Sequence, residues 1–387
     1  MNFDLTVPVQ SLYIHWPFCP YKCYYCPFVA LAGHDHFMDR YHGALVKEIT
    51  DFVNQQTQKV AVNTLFFGGG TPSTYPLDLL RDMFVMLNKN FAIADDAEIT
   101  LEVNPGTVTL EKLAVWKEVG INRLSIGVQS LNNDVLKKLN RHQNADDVRF
   151  LLDHAPEVIE NLSVDVILGL PGVTQDEWKE LINALVTWPI KHVSMYFLTV
   201  HEDTPLYFGV KNNKFILPCE DSVMDLYYWT VERLAQAGIY QYEVSNFARA
   251  GYESRHNTVY WQRKIYKGFG MGACSFDGVG RLQNEKNLLK YLEGVEKQQP
   301  IICFYERLTD KQAWLETLML GLRQASGISI KHVMEPLTYE QQQNMKVTVD
   351  CLFEQKLLSP NDDEHIRLTT RGLAVVNEVT LKLSEIY

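Results

Sequence analysis

At 387 residues, 46% hydrophobic and 21% charged, the chain has an ordinary globular composition and is long enough for one large domain plus a smaller one, or two of middle size. A net charge of −11 argues against a general affinity for nucleic acid or anionic membrane, and no apolar run approaches the ~20 residues that span a bilayer. Seven cysteines, an odd number without a paired framework, fit a reducing compartment; the opening MNFDLTVPVQ shows no basic-then-apolar signal, so a cytoplasmic location is expected.

The first strand-like run, Leu12–Trp16, leads straight into Cys19-Pro-Tyr-Lys-Cys23-Tyr-Tyr-Cys26. Three thiolates at gaps of three and two residues can wrap one loop around three corners of a [4Fe–4S] cube. Where a fourth protein ligand would close the site stands Phe28, after Pro27, so one iron is left for a ligand other than protein. Zinc is the rival, because close-set cysteines also bind it. A structural zinc site needs a fourth donor, and Cys219, Cys274, Cys303 and Cys351 are scattered singly. Ligand count and spacing favour the cluster.

Further strand-like runs follow at Val60–Phe67, Glu98–Val103, Arg123–Val128, Ser163–Leu168 and His192–Leu198. Most read as nearly continuous apolar runs, as parallel strands buried on both faces do. Helix-length segments lie between them: Phe37–Gln56, Leu77–Asn90, Leu110–Val119, Ala145–His154 and Asp176–Thr187. Thr174-x-x-Glu177 has the form of a capping box, and Thr109 precedes Leu110-Glu111 as an N-cap. This alternation predicts βα units with right-handed crossovers.

Each strand ends in a polar or glycine-rich cluster. In order these are the cysteine loop, Gly68-Gly69-Gly70-Thr71-Pro72, Glu102-x-Asn104-Pro105-Gly106, Gln129-Ser130, Gly169-Leu170-Pro171-Gly172 and Thr199-x-His201. Chemistry in parallel α/β barrels sits at that end of the strands. The expected fold is therefore an α/β, partial (β/α)6 TIM-like barrel over residues 1–300, open on one side to a large substrate. From 301 to 387 the expectation is a small, mainly helical, winged-helix-like domain: helices Leu308–Gln324, Tyr339–Gln355 and Thr370–Leu383 around the short strand at Ile366. It has no basic stripe, so DNA binding is not expected.

Taken residue by residue, each candidate has a plain structural alternative. The glycines at 68–70 allow backbone to approach a ligand, or simply make a tight turn; no Lys-Ser/Thr follows, which argues against a phosphate loop. Glu102 suits ribose hydroxyls or a sulfonium, or is an ordinary surface charge or cap. Gln129, Arg141 and Asp165 fall near the same rim, where Arg141 can pair with a carboxylate in a fork or form a structural salt bridge. In His256-Asn257-Thr258-Val259-Tyr260-Trp261 the imidazole can ligate heme iron beside aromatic faces; alone, such a histidine is more often a hydrogen-bonded structural residue, and Tyr260 and Trp261 core aromatics. GFGMG, with Gly268, Gly270 and Gly272, reads as a close-packed strand or turn and lacks the dinucleotide spacing.

Together, LYIHWPFC, the cysteine spacing, FGGGTPS, LEVNPGT, SIGVQS and DVILGLPG resemble the radical S-adenosylmethionine (SAM) group that includes HemN-type coproporphyrinogen dehydrogenases and HemW-type heme chaperones. The resemblance covers nearly the whole chain. It implies a [4Fe–4S] cluster on Cys19, Cys23 and Cys26, with SAM on the open iron, and SAM contacts from Tyr13, Gly69, Gly70, Thr71, Glu102, Gln129, Arg141 and Asp165. Three features favour the HemW branch: Phe28 where the HemN type has a further cysteine, the HNxxYW motif whose histidine (His256) is associated with heme, and a start almost directly at the first strand. Pro27 stands where aspartate is common, and Cys274 where histidine is frequent, which raises a heme-side role for Cys274. The implied function is heme binding and delivery to an apo-hemoprotein, such as a membrane-bound respiratory enzyme, with an electron donor for the cluster. The alternative is a radical SAM enzyme oxidatively decarboxylating a porphyrin propionate. Heme methylation with ring opening and a purely structural cluster are less favoured branches.

Overall fold

The computed structural model describes residues 3, 4, 6–360 and 364–387. Six parallel strands form the centre of one sheet: β1 (Ser11–Trp16), β2 (Ala61–Gly69), β3 (Ala92–Val103), β4 (Arg123–Gln129), β5 (Asn161–Leu168) and β6 (His192–Phe197). They lie side by side in chain order. The helices Met38–Val53, Leu77–Asn90, Leu110–Glu118, Ala145–His154 and Gln175–Leu185 make the crossovers. Two edge additions go beyond the expected six strands: Lys267–Phe269 pairs in parallel with β1, and Asn246–Ala248 pairs antiparallel with β6. The nine-stranded sheet therefore stays open, with Lys267–Phe269 at one edge and Tyr240–Gln241 at the other.

Helix formation follows the apolar spacing. Met38–Val53 buries Tyr41, Leu45, Ile49 and Phe52, one stripe at intervals of three and four residues. Both expected N-caps form: Thr174 and Glu177 exchange hydrogen bonds as a capping box, and the Thr109 hydroxyl accepts from the Lys112 N–H. Beyond the expected helices, the stretch after β6 carries Pro205–Lys211 and Glu220–Gln236.

The strands are buried on both faces, yet the two faces differ in kind. Leu65, Phe67, Leu101, Leu124, Ile126, Val164, Val166, Val193 and Met195 join the main apolar core under the helices. The residues between them, including Thr64, Thr100, Ser125, Ser163 and Ser194, are almost as buried and face inward. There several of them bond across strands: Ser163 Oγ lies 2.8 Å from His192 Nδ1, and Ser125 Oγ donates to the Asp165 carboxylate at 3.2 Å, while the Thr100 hydroxyl has no partner. Such partners offset the cost of burying hydroxyls and charges. The short helix Arg255–Trp261 closes this polar interior from below; its Arg255 and His256 N–H groups donate to Glu98 of β3 at 3.0 and 2.9 Å.

The strand Ile302–Arg307 pairs with Gly280–Asn284, which in turn pairs with Cys274–Phe276. A second apolar core then begins at Trp314 and gathers Leu318, Leu322, Met345, Val349, Leu352, Val379 and Leu383. It lies among the helices Asp310–Leu322, Tyr339–Glu354 and Val376–Ser384 and a small antiparallel sheet of Ile328–Ser329, His365–Leu368 and Leu358–Pro360. The expected single helix Thr370–Leu383 is two pieces, Thr370–Ala374 and Val376–Ser384, broken at Val375 (φ −123°). The two pieces have different supports: the first rests on strand His365–Leu368, the second on helix Asp310–Leu322. Among the described residues no helix is long and apolar enough to cross a membrane.

Candidate functional site

A cavity of about 490 Å³ opens at the C-terminal ends of β1–β6. It is lined by Cys19, Cys23 and Cys26 together with Gly69, Gly70, Thr71, Glu102, Gln129, Arg141 and Asp165. The cluster cysteines and seven of the eight residues named for SAM thus meet in one space.

The cysteine loop is held by its neighbours. The Thr71 hydroxyl donates to Cys19 Sγ at 3.1 Å, Arg141 Nη1 approaches Cys23 Sγ at 3.7 Å, and the Cys26 N–H turns back to the Cys23 carbonyl at 3.2 Å. Burial pushes the Cys19 thiol up to about 12, against the Thr71 hydrogen bond that lowers it. A buried thiol of this kind gives up its proton to a metal rather than to water. Among the described residues no three Cys, His, Asp or Glu side chains converge as a single metal ion needs. Thiolates spread around a cube have no such requirement.

The triple-glycine turn brings backbone against this loop. A Cβ on Gly70 would lie 2.4 Å from the Pro17 carbonyl oxygen, and Gly69 has φ +117°, so both positions require glycine. Glu102 Oε2 accepts the Gly69 N–H at 3.0 Å. Gln129 owes its place to a β-bulge: the β4–β5 register passes from Gly127↔Asp165 to Gln129↔Val166, skipping Val128, and leaves Gln129 at φ 65°. Gln129 Oε1, Arg141 Nε and Tyr25 Oη are buried without a hydrogen-bond partner. An acceptor, a guanidinium N–H and a hydroxyl left unpaired in one cavity suit an amino-acid ligand bearing both an ammonium and a carboxylate. The donor set therefore fits SAM.

Two carboxyls in this cavity are held away from their ordinary charge. Burial, then the neighbouring Asp165 charge, pushes Glu102 up to about 7, opposed by the Gly69 N–H and Arg123. Burial pushes Asp165 up to about 6, opposed by Ser194, Arg123 and Ser125. A cationic ligand returns both toward the ionised form.

The structure places three named residues elsewhere. Tyr13 lies beneath the glycine turn, where a Cβ on Gly68 would meet its ring at 2.8 Å, and its hydroxyl bonds His15 Nδ1 at 3.0 Å. His256 is 1% exposed, with Nδ1 2.8 Å from the Thr64 hydroxyl and Nε2 2.8 Å from the Tyr260 hydroxyl. Its ring stacks on Phe66, 5.1 Å between centroids. Both nitrogens are engaged, so this imidazole offers no free lone pair to iron; its surroundings are those of a structural histidine. Cys274 is exposed at the start of strand Cys274–Phe276 and does not line the cavity. Residues not named from sequence join the lining, among them Tyr25, Ser125 and Tyr196. Ser125 had a signal available: it stands at the inward parity of β4, two residues after buried Arg123.

Residues 13–185 match the profile of the Radical SAM superfamily, and residues 308–375 that of the HemN C-terminal domain. The chain is 34% identical over 374 residues to Heme chaperone HemW of Bacillus subtilis, covering 96% of this chain and 98% of that one. It is 36% identical over 339 residues to Heme chaperone HemW of Synechocystis, covering 85% and 81%. Among solved structures, coproporphyrinogen III oxidase (HemN) from Escherichia coli superposes with a TM-score of 0.84 at 24% identity, covering 98% of this chain and 91% of that one; the likeness is one of fold.

Proposed function

Because the chain belongs to the HemW family of heme chaperones within the radical SAM superfamily, we propose that it binds heme, delivers it to an apo-hemoprotein and carries a SAM-ligated [4Fe–4S] cluster. The observation that carries this reading is the near full-length similarity to Heme chaperone HemW of Bacillus subtilis, 98% of whose length is covered. Phe28, where a HemN-type enzyme has a further cysteine, weighs on the same side.

In this reading Cys19, Cys23 and Cys26 hold the cluster. Arg141 and Gln129, each with an unpaired buried atom, take the carboxylate and ammonium of SAM, and Glu102 takes the ribose or the sulfonium. When bound, the pair supplies one-electron reductive chemistry. The chain's part is to exclude water, through Tyr25, Val103 and Ile167 around the cavity, and to hold the cluster loop still through Thr71 and Arg141. The acceptor is a hemoprotein, a membrane-bound respiratory enzyme being the favoured class, met peripherally in the cytoplasm; an external donor reduces the cluster.

Anaerobic reconstitution followed by heme titration, transfer to an apo-hemoprotein and assay with coproporphyrinogen III tests this. Stoichiometric heme binding with transfer, and no steady formation of protoporphyrinogen IX, is the expected result. Steady porphyrinogen turnover without heme binding would replace it with the decarboxylase reading.

A further inference from the structure

A heme carrier needs an axial ligand that iron can reach, and His256 is not one in this fold. Its neighbours in kind fare no better. His15 is bonded to Tyr13 and Val29, His42 to Tyr75 and Asp82, and His192 to Ser163 and Tyr242, each through both ring nitrogens. Among the described histidines only one lines the cluster cavity. His201, just past β6, lines the cluster cavity, is exposed, and its ring has no hydrogen bond, ion pair or ring contact with any described residue. Its backbone is nonetheless fixed, because the Thr204 N–H (3.1 Å) and hydroxyl (2.6 Å) both donate to the His201 carbonyl.

The wall around His201 suits a flat apolar ligand with anionic edges. Phe28 is 66% exposed and Phe197 38% exposed although both line the cavity, as does Leu198. Aromatic faces left open to water beside a cavity favour a planar ring system. Lys22 lines the same rim as Phe28, with its ammonium 3.4 Å from the Phe28 carbonyl, and supplies a cation for carboxylates there. Glu202 and Asp203 follow His201 directly in the chain. At about 490 Å³ the cavity is sized for one ligand of cofactor size, not for SAM and a porphyrin together. With SAM in the cavity, a porphyrin would lie across the mouth.

We propose that the heme cargo lies across the mouth of the cluster cavity, with a ring nitrogen of His201 as its axial ligand and Phe28 and Phe197 against the macrocycle. This rests on the heme-carrier reading and says where that reading puts the heme. Neutral imidazole donates a lone pair to iron; no electron or proton changes hands. His256 then becomes a positioning residue that supports Phe66 beneath the glycine turn.

The test is ferric heme titration of the full-length, anaerobically reconstituted protein, followed by absorption and electron paramagnetic resonance (EPR). Wild type, His201→Ala, His256→Gln and Phe28→Ala are compared, with folding checked by circular dichroism. His201→Ala is expected to lose the imidazole-ligated signature and to bind heme at least ~10-fold more weakly, with the signature restored by added imidazole. His256→Gln should keep the wild-type signature. Phe28→Ala should weaken binding and leave the signature intact. An unchanged His201→Ala spectrum, or loss of the signature in a folded His256→Gln protein, overturns the assignment of His201. Wild type that binds no heme at all overturns the chaperone reading itself, a separate and recognisable result.

Discussion

Glu102 and Asp165 tie the chemistry of the cavity to pH. Both carboxyls are raised in the folded chain, chiefly by burial, to about 7 and about 6. A carboxyl that holds its proton more tightly when folded contributes stability in full below its ordinary value, 4.5 for Glu102, and loses that contribution as pH rises through about 7. The ligand-free protein should therefore lose thermal stability from this group across that window. SAM, bringing a cation, should bind more tightly over the same rise, and Glu102→Gln should flatten the dependence. Calorimetric titration across the window reads both; an affinity that does not change between about 6 and about 7 contradicts the assignment. Gly70 makes a steric prediction: Gly70→Ala forces a Cβ against the Pro17 carbonyl and should abolish cluster incorporation, read as iron per chain. The cysteine spacing, the glycines and the strand-end position of Glu102 were legible in sequence because they depend on local geometry. His256 was not. One of its two hydrogen-bond partners, Thr64, lies 192 positions away, and a motif string carries no record of whether a ring nitrogen is already taken.

At the scale of elements, β1–β6 and the helices between them were legible because apolar runs and caps are written locally. Leu77–Asn90 and Ala145–His154 fall where the spacing puts them, and the Thr174–Glu177 box starts its helix as expected. Thr174→Ala removes the acceptor for the Glu177 N–H and should lower stability by about 1 kcal/mol in denaturant titration. The polar interior was harder to see. Thr64, Thr100, Ser125 and Ser163 are small enough to pass as members of apolar runs, and only the pairing of strands brings them onto one face. The bulge that turns Gln129 into the cavity is a property of the β4–β5 register, which no single strand specifies. The helix Arg255–Trp261 carries too few residues for a periodic signal, and its meaning lies in Glu98, which caps it from a distant strand.

Over the whole molecule, the C-terminal helices attach to the barrel through a half-buried charge cluster. Glu316 of helix Asp310–Leu322 accepts from Arg263 at 3.2 Å and also pairs with Arg281. Glu316→Ala leaves two guanidinium groups without their shared acceptor and should cost about 2 kcal/mol. Limited proteolysis near residue 308 should then quicken, whereas an unchanged rate would show that the apolar contacts alone hold the two parts. All of this architecture positions one cavity whose cysteines, in the proposed reading, would leave a corner of iron to SAM. The direct measurement is EPR of the reduced, anaerobically reconstituted protein with and without SAM. The account predicts a [4Fe–4S] signal that shifts when SAM is added and is lost in Cys23→Ala; bound zinc, or a cluster signal indifferent to SAM, would contradict it.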